Sequence, residues 1–342
     1  MAISIVLDVM GGDYGVTATV SGAAQISLED SDLQVILVGD ITEIEQALQE
    51  LPHNPANLQL VSSEGYISQE EKAAEALQAK PNCSIAVATK LVAEGKGDAL
   101  VSAGNTGGVI LASAQNFKRL EGVRRVGLAA VLPTERRRGK KKDPFALLMD
   151  VGATLHVGSK DLINFALMGS IYAQIISSND SPNVALLSNG AEATKGAPEV
   201  VEAHQLLEKE AAINFIGNVE GLDIARGTAD VIICEGFLGN VVLKLLEGIT
   251  ELASDLARDA YDKKWVWKVG LTMLSGELRK LKQLTDWKQY GGAPILGFEQ
   301  VVIKAHGRSS ASAIRNAIRV AKKAVKGQLI EKIQAGLLEM KE

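Results

Sequence analysis

The sequence has 342 residues, 46% hydrophobic but only 4% aromatic, with 33 glycines and a formal net charge of −5. That length allows one large core or two moderate ones, and the acidic balance argues against a general nucleic-acid binder. Cys83 and Cys234, the two cysteines, lie far apart in sequence, which argues against a disulfide framework and for a reducing interior.

The opening MAISIVLDVMGGD has no basic region, and Asp8 interrupts its apolar run, so it reads as a first strand rather than a signal peptide. No apolar run reaches the roughly 18 residues of a membrane span. A soluble, cytoplasmic protein is expected. Along the chain a β-branched run, a Gly-rich polar loop and a helical periodicity recur. Strands are predicted at 3–8, 33–40, 98–102, 145–150, 184–188, 230–234 and 301–306. Strands alternating with helices imply an α/β fold: a three-layer, mostly parallel sheet with helices on both faces. The segment 133–144, PTERRRGKKKDP, reads as a long basic loop carrying Arg136, Arg137, Arg138, Lys140, Lys141 and Lys142.

From about 239 to 284 the alternation stops and the pattern is helical throughout. Leu245, Ile249, Leu252 and Leu256 form one apolar stripe; Trp267, Leu271, Leu274, Leu278 and Leu281 form another. A projecting helical hairpin is expected, part of a single 1–342 domain. A second copy of the chain would complete a four-helix bundle around its stripes.

Polar residues cluster where the predicted strands end, the place at which open parallel sheets bind ligands. They are Asp8 and Asp13, Asn105 and Thr106, Asp150, then Asn189, Glu192 and Lys195, then Asn240, and finally Lys304 and His306. Singly, each suits a turn or a cap. Together they describe six loops converging on one polar cleft at one sheet edge. Lys304 and His306 share a side of the last strand, because side chains alternate with period two. The following HGRSSASAIRNAI starts a helix near Ser309 and Ser310, with Ile314, Ala317, Ile318 and Ala321 on its apolar face. A cation, an imidazole and a helix N-terminus suit an oxyanion or a phosphate. No GxxxxGK[ST], GxGxxG after the first strand, or GxSxG appears, and the four histidines are too scattered for a zinc site. Cys234 reads as a core thiol rather than a nucleophile. No metal and no cofactor is expected.

In order along the chain stand LDVMGGD, SAGNTGG, LMDVGAT, LLSNGAEATKG, GNVEG, DVIICEGFLGN and YGGAPILGFEQVVIKAHG. Together they closely resemble the bacterial phosphate acyltransferases of phospholipid synthesis, which act on acyl carrier protein (ACP). The resemblance implies a homodimer with a fold like isopropylmalate dehydrogenases and phosphotransacetylases. It also implies conversion of long-chain acyl-ACP and inorganic phosphate into acyl-phosphate and free ACP. A downstream membrane acyltransferase would then pass the acyl group to glycerol 3-phosphate. Three positions depart from the usual family pattern: Thr154 for Asn, Leu222 for Arg and Arg308 for Ser.

On this basis Lys304, His306 and Lys195 are expected to be catalytic. Asp8, Asp13, Asn105, Thr106, Asp150, Asn189, Glu192, Asn218 and Asn240 are expected to bind substrate. The six cations of 133–144 would attract acidic ACP. Trp265 and Val266, beside Lys263, Lys264 and Lys268, would touch an anionic bilayer, unless Trp265 packs across the dimer. Three other readings compete: a short-chain phosphotransacetylase acting on acyl-CoA, a decarboxylating dehydrogenase of the same fold, and a non-enzymatic membrane scaffold.

Overall fold

The structure, a computed structural model, describes residues 2–138, 143–263, 265–274, 276 and 291–340. The first third runs β1 (Ile3–Asp8), α1 (Gly15–Glu29), β2 (Leu33–Gly39), α2 (Ile41–Gln49), β3 (Leu58–Ser62), α3 (Ala73–Ala79), α4 (Ser84–Ala93), β4 (Ala99–Ser102) and α5 (Thr106–Asn116). A long hairpin, β5 (Gly127–Arg138) and β6 (Asp143–Met149), comes next, then α6 (Ser159–Ser177) and β7 (Val184–Leu187). After α7 (Pro198–Leu207), β8 (Phe215–Val219), α8 (Gly221–Arg226) and β9 (Val231–Ile233), the chain enters α9 (Gly236–Lys263) and α10 (Trp265–Met273). It closes with β10 (Ala293–Leu296), β11 (Val301–Lys304), α11 (Ala311–Lys326) and α12 (Leu329–Glu339).

Among the described residues eleven strands join one sheet in the order β3-β2-β1-β4-β11-β10-β5-β6-β9-β7-β8. The seven predicted strands are present within a residue or two. The other four, β3, β5, β8 and β10, carry weaker signals: Gly217 interrupts β8, Pro133 and its charged neighbours break β5, and Pro294 sits within the four residues of β10.

Period-two alternation buries both faces. Val6, Leu100, Val302, Leu148 and Ile232 face one core with α4 and α5. Leu7, Val101, Ile303, Met149 and Ile233 face the other with α1, α6 and α11, to which α11 contributes the expected Ile314, Ala317, Ile318 and Ala321.

The centre of the sheet corrects one expectation. β10 is antiparallel to both β11 and β5, and β5 is antiparallel to β6. Three successive reversals turn β6, β9, β7 and β8 to run opposite to β1, β4 and β11. The carboxyl ends of the two parallel blocks therefore open at opposite edges of the sheet, and the six polar loops do not converge at one edge. The two antiparallel contacts of β10 leave β5 parallel to β11, and the antiparallel β5–β6 hairpin then makes the net reversal.

α9 is 28 residues long, about 42 Å by helical rise, and α10 follows it after residue 264. Leu245, Ile249, Leu252 and Leu256 stay exposed along α9. Trp267, expected on a buried stripe, is 44% exposed. Residues 277–284 of the hairpin, with Leu278 and Leu281, and Lys140, Lys141 and Lys142 of the basic loop lie outside the described residues; Arg136, Arg137 and Arg138 end β5.

Candidate active site

Three adjacent parallel strands end side by side. Asp8 pairs in register with Ser102, and Ser102 with Lys304. Equal parity puts all three side chains on one face, and all three are buried. The Ser102 hydroxyl donates to Asp8 Oδ2 at 2.7 Å and accepts from the Gly104 amide at 3.0 Å. The two Gly-rich loops interlock behind this row: a Cβ on Gly11 would lie 2.5 Å from the Gly104 nitrogen, so only glycine fits there.

Burial pushes the Asp8 carboxyl up, against the opposing pull of the Ser84 and Ser102 hydroxyls. Burial also lowers Lys304 to about 8, against the attraction of Asp8 and Asp13. Its ammonium donates to the Ala305 carbonyl. A buried lysine titrating near neutrality and opening on a cleft is what anion chemistry requires.

That cleft has a volume of about 490 Å³. It lies where the sheet parts, because β10 pairs with β5 only at Leu128 and Gly127 while β5 continues to Arg138. α9 covers it along its length. Asn240, Lys244 and Glu247 line it from one face of α9, opposite Lys304, His306 and Ser309. Asp13, Thr106 and Gln69 complete its upper end; Val151 and Gly152 reach its lower end.

Lys244 pairs with Glu247 at 3.1 Å, and Glu247 stands 3.9 Å from His306 Nε2. The Arg308 amide donates to His306 Nδ1 at 3.0 Å. In the neutral ring the proton therefore sits on Nε2. Arg308 itself bridges Glu251 at 3.4 Å and Asp13 at 3.9 Å. Gln69, Lys244 and Glu247 are not among the residues expected from the sequence. The last two form a polar i, i+4, i+7 series with Asn240, overshadowed in the sequence by the leucine stripe of the same helix.

Several predicted residues instead shape the loops. The Asp150 carboxylate is fully buried and accepts from the amides of Leu128, Gly152, Ala153 and Thr154 and from the Thr154 hydroxyl. It organises the β6–α9 junction and has no lone pair to spare for substrate. Thr154, the family departure, completes this set. Asn105 caps α5 through Gly108, and its amide donates to the carbonyls of Ser68, Gln69 and Glu71. The Asn218 side-chain oxygen accepts from His204 Nδ1 at 2.9 Å, and its amide donates to the Glu192 and Lys195 carbonyls.

Asn189, Glu192 and Lys195 are exposed after β7, at the opposite edge from Lys304. β7 stands five strands from β11, roughly 24 Å at the usual strand spacing. Lys195 therefore does not join the Lys304–His306 cleft. Cys234 is buried, and burial pushes its thiol up, so it is a core thiol. Among the described residues no cluster of three or more His, Cys, Asp or Glu has metal-binding geometry.

A sequence profile described as "Fatty acid synthesis protein" matches residues 3–332. A phosphate acyltransferase of Heliobacterium modesticaldum is 42% identical over 331 residues, covering 96% of each chain. One of Dictyoglomus turgidum is 39% identical over 336 residues, covering 98% of each. Among solved structures, a phosphotransacetylase from Streptococcus pyogenes superposes with a TM-score of 0.62 at 18% identity, over 96% of this chain and 94% of that one. A Staphylococcus aureus phosphotransacetylase gives 0.58 at 18%, over 94% of each. These two likenesses concern the fold. At about 40% identity over nearly its full length, the chain belongs to the phosphate acyltransferase family, a family of acyl-transferring enzymes.

Proposed function

We propose that this chain transfers a long-chain acyl group from acyl-ACP to inorganic phosphate, releasing acyl-phosphate and free ACP. The observation that carries the reading is the buried Asp8–Ser102–Lys304 row opening on a cleft that also holds His306 and Lys244. Below about pH 8 Lys304 is charged, and with Lys244 it holds a phosphate beside the start of α11. A phosphate oxygen attacks the thioester carbonyl. The new C–O bond forms, the tetrahedral oxyanion is stabilised by the same cations, and the C–S bond breaks. His306 donates an Nε2 hydrogen bond to the developing oxyanion, and the proton carried by the attacking hydrogenphosphate passes to the departing thiolate. No enzyme nucleophile is required.

Arg136, Arg137 and Arg138, on the hairpin strand beside the cleft, are proposed to attract acidic ACP. The exposed stripe of α9 is proposed to close a homodimer. Trp265 and Val266, 77% and 56% exposed, are proposed to touch an anionic bilayer, where a membrane acyltransferase consumes the product. The working place is then the cytoplasmic side of the membrane.

The test is phosphate-dependent release of free ACP from palmitoyl-ACP, with acyl-phosphate identified as product. Replacing the three arginines by Ser raises the Michaelis constant for acyl-ACP and flattens its salt dependence, leaving that for phosphate unchanged. Turnover of short acyl-CoA in preference to palmitoyl-ACP would move the function to the phosphotransacetylase reading that the shared fold also suggests.

A further inference from the structure

A second cavity, about 200 Å³, lies on the other face of β5 and β6, beneath the last turns of α6. Phe145, Leu147, Tyr172, Ala173 and Ile176 line it, with Val131 at one side. Val131 lines the active-site cleft as well. It stands on the stretch of β5 past Leu128, for which no β10 partner exists among the described residues. The parted ladder thus brings the cleft and the apolar cavity to the same residue from two sides.

The cavity opens to solvent at a rim carrying Ser177, Asn179 and Asp230, whose carboxylate accepts from the Asn183 amide at 2.7 Å. Inside that rim its lining is mostly apolar, so hydrocarbon gains more from it than water does.

We infer that this cavity receives the distal end of the acyl chain, with Val131 marking the turn from the cleft into it. The inference rests on the acyl-transfer reading above and adds the residues that set chain length. With the thioester carbonyl at Lys304 and His306, the first methylenes lie along the cleft under α9. Only a chain long enough to pass Val131 gains the apolar contacts of Leu147, Tyr172 and Ala173. Each methylene withdrawn from such surroundings costs roughly fourfold in affinity, so the cavity favours long chains over short ones.

Ala173→Phe fills the cavity from α6, and Ile176→Trp blocks its half-buried rim with less demand on the core. Each is assayed with octanoyl-, palmitoyl- and stearoyl-ACP, and by calorimetric binding of octyl- and hexadecylphosphonate, which needs no turnover. Both variants are expected to lose about tenfold or more in kcat/KM on the long donors, as removal of two or more methylene contacts requires. They should keep octanoyl-ACP within about twofold and lose the binding advantage of hexadecyl- over octylphosphonate. An unchanged chain-length profile in either folded variant overturns the inference. If Ala173→Phe does not fold, Ile176→Trp decides alone. Absence of any phosphate-dependent turnover, with the phosphonate advantage still lost in the variants, overturns the function and leaves the cavity a hydrocarbon site.

Discussion

Burial lowers Lys304 to about 8, outweighing the attraction of Asp8 and Asp13 that favours its charge. A lysine lowered in this way is protonated below that pH and loses its charge above it. On the free enzyme, kcat/KM for phosphate should therefore fall as pH rises through about 8. Lys304→Arg should keep part of the activity and abolish that alkaline limb, because a guanidinium does not deprotonate in this range. Lys304→Ala should lower turnover about a hundredfold below about pH 8, where the wild-type lysine is charged, with the fold retained. An alkaline limb that survives in the Arg variant assigns it to another group. The Lys304–His306 pair was legible in the sequence because two residues of an extended segment share a side. Asp150 misled, because a strand-end carboxylate looks the same whether it meets a ligand or five hydrogen bonds of its own chain.

α9 is the element that makes the cleft. Its first turn rests directly on the loop after β6: a Cβ on Gly236 would lie 2.0 Å from the Thr154 carbonyl, and one on Gly239 would lie 1.9 Å from that of Asp150. Backbone cannot yield to such a contact as a side chain would. Gly239→Ala should therefore lower stability by roughly 2–3 kcal/mol, the upper range of overpacking penalties. It should also displace Asn240 and Lys244 and cut turnover. Gly248, in the same helix, meets nothing within 4 Å. Gly248→Ala should instead raise stability by roughly 1 kcal/mol, the difference in helix propensity. Chemical denaturation of the two variants reads both signs, and equal effects would remove the contact from the explanation.

At the scale of the whole molecule, the exposed apolar surface of α9 and α10 has two distinct parts. Leu245, Ile249, Leu252 and Leu256 follow one stripe, 54–61% exposed, the pattern of a helix awaiting a helical partner. Trp265, Val266 and Met273 are exposed along α10, at whose start Lys268 lies 4.9 Å over the Tyr261 ring. Leu252→Glu with Leu256→Glu should yield a monomer in sedimentation. Trp265→Ser with Val266→Ser should leave a dimer that no longer binds anionic liposomes but still turns over soluble acyl-ACP. A dimer that survives the first pair, or liposome binding that survives the second, returns that part of the surface to another role.

The sequence alone determined the strands whose side chains alternate, the glycine loops that follow them, the apolar face of α11 and the family. Each of these is written in neighbouring residues, where backbone geometry and side-chain period act locally. Only the tertiary structure decided which loops share a site. β10, residues 293–296, enters the sheet between β11 and β5, whose first residue is Gly127. That placement leaves β5 parallel to β11 and parts the ladder where the cleft forms, and the β5–β6 hairpin then reverses the far half of the sheet and sends Lys195 to the opposite edge. Strand direction across a sheet is set by hydrogen bonds between segments more than a hundred residues apart, and no local pattern carries it.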